Sequence, residues 1–424
     1  MTTVRRTEPP YERTAVAAPP TEALSGAVQV DFALVGAGYG GLLTAIELAQ
    51  KGANVAVVEA HEVGCGGSGR NHGQCIPIYG YVEAPWVPSK GRDLLVNSSA
   101  QVFEMVRRYK MNCEAVQNGL VTAAYNARTL ATTKAAQARY ARYGKSDAYY
   151  SAAELAELTG IASGFLGGWV HKDGGHLNPL GYTRELARVA ISLGVRVFTQ
   201  SPVTSLARKN GAWDLKTPGG EIRARRVGLT TDAYSEQGVP GRVRRGFFPL
   251  ECYGLASRPL TEAERRAVMP GGMNFGDTHR DPMFFRIDCS GRLITGGLVE
   301  PKRGRDFAYT SAFMTRRLAQ LWPELAGLSW EHMWSGTISM ALDQTPTIRD
   351  LGEGLWALSG WSGRGVPTSA ALSVAFARTL EDAATGLDYW PHRHPPKVFG
   401  GAILGQIVQL CRGPFNQTRD RFGL

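Results

Sequence analysis

The stretch Asp31-Phe32-Ala33-Leu34-Val35-Gly36-Ala37-Gly38-Tyr39-Gly40-Gly41, followed by Glu59, decides the reading of this chain. It runs from an apolar strand through a glycine turn into a helix start, the unit that holds a dinucleotide. Gly36 permits the tight turn. Gly38 lets backbone N–H groups approach a pyrophosphate with no Cβ in the way, and Gly41 lets the helix lie close on the strand. The helix expected over Tyr39–Lys51 is rich in good helix formers, and its first amides offer partial positive charge to phosphates. Gly52 fits as its C-terminal stop. A second strand, Asn54–Glu59, ends in a carboxylate about 20 residues after Gly36, where the motif needs an acceptor for a ribose 2′-OH. An acid suits a free 2′-OH better than a 2′-phosphate, so the pattern favours FAD or NAD over NADP.

At 424 residues the chain has room for two domains. It is 43% hydrophobic and 20% charged, as an ordinary globular protein is, and its 51 glycines suit a fold with many tight turns. No run of about 18 apolar residues is present, so no transmembrane helix is expected. Residues 1–28 are rich in Pro, Thr, Ala and Glu and read as a disordered leader; Arg5-Arg6 lacks the apolar stretch that a twin-arginine signal requires. Six cysteines (Cys65, Cys75, Cys113, Cys252, Cys289 and Cys411) show neither CxxC nor Cys/His metal spacing. That pattern points to reduced thiols in a cytoplasmic protein and to no metal site. The net charge of +10 comes mostly from arginines, with runs at Arg223–Arg226 and Arg242–Arg245. Such runs are usually solvated surface; an anionic partner is the alternative, and no nucleic-acid module is recognisable.

Helical spacing covers 92–110, Thr129–Arg142, Pro179–Leu193, Ser311–Leu321, Ser369–Thr385 and Ser151–Leu158, the last with Ser151 as N-cap ahead of Glu154. Strands are expected at Leu120–Tyr125, Val195–Thr199, Trp213–Thr217, Glu221–Ala224 and Val227–Thr231, with Gly219-Gly220 as a hairpin turn. Further short strands recur at Glu251–Ser257, Pro282–Asp288, Leu293–Leu298, Ser335–Met340 and Leu355–Ser359. The βαβ parts sit at both ends and in the middle with β-rich parts between them, which implies two interleaved domains.

From Gly67-Ser68-Gly69-Arg70-Asn71-His72-Gly73-Gln74 the chain resembles the D-amino-acid-oxidase-type FAD oxidoreductases. Within them it is most similar to the γ-glutamylputrescine oxidoreductase branch, whose members carry G-A-S-G-R-N-G-G-Q here. The likeness continues through Gly174-Gly175-His176-Leu177-Asn178-Pro179, Thr231-Asp232-Ala233-Tyr234-Ser235 (usually T-N-A-Y) and Phe284-Phe285-Arg286 with Gly296-Gly297 (usually Y-F-R and G-G). It ends with Trp334-Ser335-Gly336 and Ser359-Gly360-Trp361-Ser362-Gly363-Arg364-Gly365-Val366, where the family has G-x-x-G-H-G-V. The resemblance covers about residues 30–390. It implies an α/β fold in which a Rossmann-like FAD-binding domain (29–110, 174–238 and 335–396) is interleaved with a β-rich, α+β substrate-binding domain (111–173 and 239–334). Residues 397–424 would form a C-terminal helix or tail.

By that resemblance the cofactor is FAD. Gly36, Gly38, Tyr39, Gly41, Glu59 and Ala60 would meet its adenosine and pyrophosphate, and the backbone of Val203 its adenine. Gly67, Ser68, Arg70, Asn71, His72, Gly73 and Gln74 would run beside the pyrophosphate and isoalloxazine. Gly363, Arg364, Gly365, Val366 and Pro367 would reach the pyrimidine end, with Gly336 a further cofactor contact. Arg364 stands where relatives have His; a permanent cation there would favour negative charge on the reduced ring, the alternative being an arginine in solvent or paired elsewhere. His72 stands where relatives have Gly and has three readings: a neighbour of the flavin, an 8α-linked covalent ligand, or a structural histidine. Trp334-Ser335 occupy the place of the tethering cysteine of sarcosine-oxidase-like relatives. Arg286 either binds a substrate carboxylate or pairs with a structural acid. With Arg364 and His72 it completes the candidate catalytic set.

Tyr79, Tyr253, Phe284, Phe285 and Trp361 are candidate pocket walls, although aromatic residues on strands serve equally well as core. Ile76, Pro77 and Tyr79 replace the carboxylate-binding arginines of sarcosine-oxidase-like relatives, which argues against an α-amino acid held in their manner. The implied reaction is oxidation of a C–N bond in an amine or amino acid by hydride transfer to the flavin, with O2 as reoxidant. A quinone or protein acceptor, or an FAD-binding subunit without amine turnover, are the alternatives. The apolar segment Val398–Cys411 either packs on the core or touches a membrane surface.

Overall fold

The structure is a computed structural model that describes residues 9–78, 80–145, 147–235, 238–241, 243–393, 398, 400–401 and 403–410. Phe32, Ala33, Leu34 and Val35 are all buried, so their strand needs cover on both faces. That strand, Gly26–Val35, pairs in parallel with Gly220–Leu229 on one side and Val55–Val58 on the other. The sheet continues outward through Arg196–Phe198 at one edge and Leu355–Ser359 and Thr347–Asp350 at the other. Helices Tyr39–Ala49, Pro179–Ser192 and Gly365–Glu381 bury Phe32, Leu34, Val55 and Val57 on one face. The opposite face, with Ala33, Val35, Ala56 and Val58, packs on Val203, Trp213 and Leu215. A sheet with a parallel centre and a glycine turn after its first strand is the Rossmann-like arrangement that the motif implies.

A second eight-stranded sheet runs in the order 330–340, 248–259, 292–298, 284–287, 274–277, 120–124, 167–171, 148–151. All its pairings are antiparallel except that of 274–277 with 120–124. Phe275, Phe285, Leu293 and Trp322 form the core under its helix-covered face. A small two-stranded ladder, Gln74–Cys75 with Gly175–His176, stands apart from both large sheets. Ser151 caps its helix with Glu154 in a reciprocal capping box, as expected.

Several elements differ from the sequence reading. Helix 92–110 is broken at Asn97 into Ser89–Val96 and Ser98–Arg108. The two strands expected at 221–224 and 227–231 are one ten-residue strand, Gly220–Leu229, because Arg225 and Arg226 stay extended in the ladder beside Phe32. The last long helix starts at Gly365, four residues before Ser369, and stops at Glu381. Strand Trp330–Met340 crosses position 335, and its residues 335–340 pair with 248–253 of the second sheet.

The largest correction concerns the leader. Residues 9–25 are packed on the fold, and the first strand already starts at Gly26. Tyr11 is buried edge-on against Trp334 at 5.5 Å and donates its hydroxyl to Asn71 O at 2.8 Å. Asn178 Nδ2 donates to Tyr11 O at 3.1 Å, and Arg184 forks onto the Glu12 carboxylate. Composition misses this because one aromatic ring and two distant partners, not average hydrophobicity, hold the segment. Among the described residues no helix is long and apolar enough to cross a membrane. Of the C-terminal segment, 403–410 is helical; Leu404 and Val408 pack near Phe248 and Leu250 while Ile403, Ile407 and Leu410 are exposed. Cys411 lies outside the described residues.

Tyr11→Ala should lower the unfolding free energy by about 3 kcal/mol, the cost of truncating a buried aromatic ring. Urea denaturation checks this, and an unchanged midpoint would restore the reading of a disordered leader.

Candidate active site

A cavity of about 580 Å³ lies between the C-terminal ends of the parallel strands and the inner face of the second sheet. At its nucleotide end Gly36 has φ +108°, and a Cβ on Gly41 would stand 2.0 Å from Gly36 O. A Cβ on Gly38 would stand 2.8 Å from Ser68 Oγ. The three glycines thus open a backbone-walled cradle that side chains would fill. Glu59 Oε2 accepts from Ala37 N at 2.8 Å and its Oε1 from His61 N at 3.1 Å, which aims the carboxylate at the turn. Ser201 and Val203 close this end.

The middle of the cavity is walled by the loop after the second strand. Gly67–Arg70 is a single helical turn whose last groups are satisfied by Asn71. Its Nδ2 lies within hydrogen-bond distance of Gly67 O, Ser68 O and Tyr39 Oη, and its Oδ1 accepts from Gly73 N at 2.8 Å. Ser68 Oγ accepts from Tyr39 N at 3.0 Å, joining this turn to the start of the nucleotide helix. His72 packs edge-on against Phe284 at 4.8 Å and near Trp334 at 6.2 Å. Its Nε2 lies 3.3 Å from Tyr253 O, and a Cβ on Gly296 would come within 2.2 Å of that nitrogen. Gly296 is what makes room for the imidazole. Burial holds His72 down to about 4, with Arg286 opposing its protonation further.

The third wall is the N-terminus of helix Gly365–Glu381, with Gly363, Arg364, Gly365, Val366 and Pro367 on the cavity. Because the helix begins right after Arg364, its free amides and positive dipole end face the cavity. Arg364 reaches toward Gly80, whose Cβ would lie 3.5 Å from its Nη1, and Trp361 closes over Gly40. Asp232, at φ +47°, accepts from Gly360 N at 2.8 Å and Ser339 Oγ at 2.6 Å, so it ties this wall to both sheets. Burial raises its carboxyl above the ordinary carboxylate range.

The structure therefore gathers most of the expected residues on one cavity: Gly36, Gly38, Tyr39, Glu59, Ala60, Gly67, Ser68, Asn71, His72, Gln74, Val203, Phe284, Trp361 and 363–367. Gly41, Arg70, Gly73 and Gly336 stand behind its surface. Arg70 Nε donates to Cys65 O at 3.0 Å, and Gly73 with φ +75° lets the chain pass Leu177 O. Arg286 does not reach the cavity. It is 1% exposed, and its Nε donates to His72 O at 2.6 Å, so its charge braces the loop from behind. Phe285 belongs to the core, stacked on Phe275 at 4.9 Å, and Tyr253 is buried against Gly297. Tyr79 lies outside the described residues. Sequence reasoning missed Thr122, Gly276, Asp277 and Met283, which line the second-sheet end. Alternation along 120–124 could have placed Thr122 on a face, but no local signal says that this strand lies beside 274–277.

Comparison with known proteins agrees with this geometry. The family model described as "FAD dependent oxidoreductase" (DAO) matches residues 31–379, and the chain belongs to that family. It is an FAD-dependent oxidoreductase with FAD as its cofactor. A probable oxidoreductase OrdL of Haemophilus influenzae is 28% identical over 412 residues, spanning 92% of both chains. The γ-glutamylputrescine oxidoreductase of Escherichia coli is 26% identical over 415 residues, spanning 96% of both. Among solved structures, an L-amino acid deaminase from Proteus vulgaris superimposes with a TM-score of 0.71 at 21% identity, covering 89% of this chain and 95% of that one.

Three imidazoles, His171 and His176 buried and His72 half-buried, set an acid limit on stability. Burial lowers His72 to about 4 and His171 and His176 to about 3 from an ordinary value of 6.5. Between those limits the unfolded chain binds protons that the fold refuses, so stability is full above about 6.5 and falls as the pH drops toward 3–4. Urea midpoints measured from pH 7 to 4 should decrease steadily, and His72→Phe should shallow the slope.

Proposed function

We propose that this chain oxidises a C–N bond of an amine or amino acid, giving an imine that water hydrolyses, with electrons passing from the reduced cofactor to O2. The observation that carries the reading is the single cavity joining a glycine cradle to a polar recess in the second sheet. One end suits a dinucleotide phosphate, while the other admits a small molecule beside His72, Gln74 and Thr122. When bound, FAD supplies acceptance of a hydride from the carbon beside the amine nitrogen.

The chain's own residues bind, orient and shield. Backbone amides at Gly38–Tyr39 and the amide-rich start of helix 39–49 would hold the pyrophosphate. Glu59 would accept from a ribose hydroxyl. The N-terminus of helix 365–381 and the Arg364 guanidinium would place positive charge at the ring's far end, which stabilises negative charge as it develops. His72 and Phe284 would form the floor under the reacting carbon and keep bulk water away. His72 Nε2 is directed to Tyr253 O, and the neutral ring suits a non-covalent neighbour of the cofactor better than a tether. The names of the relatives support amines and amino acids as the substrate class.

Anaerobic mixing of the FAD-loaded protein with a panel of amines and amino acids should bleach the flavin absorbance with at least one of them. Admitting air should restore the colour with release of peroxide. Acid precipitation should leave the flavin in the supernatant; yellow retained in the pellet would instead establish a covalent link. Arg364→Ala should lower the flavin midpoint potential, measured by dye-coupled reduction, with FAD content unchanged.

A further inference from the structure

Two side chains of one short segment offer the cavity hydrogen-bond acceptors that nothing described in the protein uses. Gln74 Nε2 donates to Phe275 O at 3.2 Å and to Phe285 O at 3.0 Å. Carbonyls only accept, so the amide has one possible orientation and Oε1 is the atom left over. His72 Nε2 faces the Tyr253 carbonyl, so that nitrogen carries the hydrogen and Nδ1 keeps its lone pair. Both residues line the cavity, and neither Oε1 nor Nδ1 is among the polar atoms sealed without a partner. The two acceptors therefore open onto the recess.

Their carrier is rigid. The carbonyls of three successive residues are bound from behind: Asn71 O by the Tyr11 hydroxyl at 2.8 Å, His72 O by Arg286 Nε at 2.6 Å, and Gly73 O by Leu177 N at 2.9 Å. The Gln74 backbone then enters the ladder with His176. On that backbone, rotation of either side chain would break its own bond, His72 Nε2 to Tyr253 O or Gln74 Nε2 to Phe275 O and Phe285 O, so both acceptors are held in place before a ligand arrives. Asp277, the carboxylate at this end, is already engaged: Oδ1 accepts from His279 N and Met283 N, and Oδ2 stands 3.0 Å from His279 Nδ1.

From this geometry we infer that His72 Nδ1 and Gln74 Oε1 together receive the N–H groups of the substrate nitrogen, which selects primary and secondary amines over tertiary ones. The inference rests on the proposed amine oxidation and adds its selectivity. A primary amine gives one N–H to each acceptor and a secondary amine gives its one N–H to either; in both cases the nitrogen lone pair stays free, as loss of hydride from the neighbouring carbon requires. A tertiary amine fills the same space but leaves the acceptors desolvated and unpaired, and such sites reject the analogue that lacks the donor. His72 here serves as an acceptor, and no proton is transferred to it.

The test is a binding titration of the FAD-loaded protein, read as the perturbation of flavin absorbance under anaerobic conditions. The probes are butylamine, N-methylbutylamine and N,N-dimethylbutylamine. Affinity should fall along that order, about tenfold for each N–H removed, the loss typical of one neutral hydrogen bond left unmade. His72→Phe, which keeps the ring and removes one acceptor, should weaken butylamine about tenfold and leave N,N-dimethylbutylamine unchanged. Equal affinity for all three amines, or an equal effect of the variant on all three, would overturn the inference. Should His72→Phe fail to retain FAD, the series on the unaltered protein decides alone. Ranked binding without bleaching would sink the proposed oxidation and keep this selectivity, whereas bleaching by a tertiary amine bound as tightly as butylamine would do the reverse.

Discussion

The structure turns on the way the backbone of residues 71–74 is tied down. Asn71, His72 and Gly73 each give up their carbonyl to a partner from a different part of the chain: the leader, strand 284–287 and the segment before helix 179–192. A buried peptide group left unpaired would cost about as much as a lost hydrogen bond, so none of these partners is free to move independently. The loop joins the two sheets because its hydrogen bonds have nowhere else to go. The cavity follows from that, since its middle wall is this loop.

Charge is managed in the same economical way. Arg286 is almost fully buried, and a guanidinium in that setting needs acceptors; it finds the His72 carbonyl and the face of the Tyr11 ring, 5.8 Å away. Burial keeps the imidazoles of His72 and His176 neutral, and the field of Arg286 opposes their protonation further. On the opposite wall stands the Asp232 carboxyl. Its Oδ1 accepts from Gly360 N and its Oδ2 from Ser339 Oγ, so both oxygens are engaged.

The cysteines take no part in covalent links: Cys65, Cys75, Cys113, Cys252 and Cys289 are free thiols among the described residues. Burial pushes Cys75 and Cys113 up to about 12, so these behave as small apolar side chains. Among the same residues no group of His, Cys, Asp or Glu side chains is placed to hold a metal ion.

The glycine turn, its flanking strand and helix, and the capping box at Ser151 were legible in the sequence because each is a local device. Their residues lie within a few positions of one another and act through φ/ψ freedom, helix dipole or a side chain reaching three residues on. The loop 67–74 and the 363–367 turn were legible through resemblance, residue by residue. What the sequence could not express is adjacency between distant segments. Arg286 and Phe285 are neighbours on one strand, yet alternation turns one toward the loop's back and the other into the core, leaving only Phe284 on the cavity. Tyr11 lies in a polar leader, and only Trp334 and Asn71, far along the chain, make its burial favourable. The acceptor pair at His72 and Gln74 likewise exists only because carbonyls of Tyr253, Phe275 and Phe285 consume the donors. Local chemistry writes the turn that binds a nucleotide; long-range hydrogen-bond accounting decides which atoms remain for a substrate.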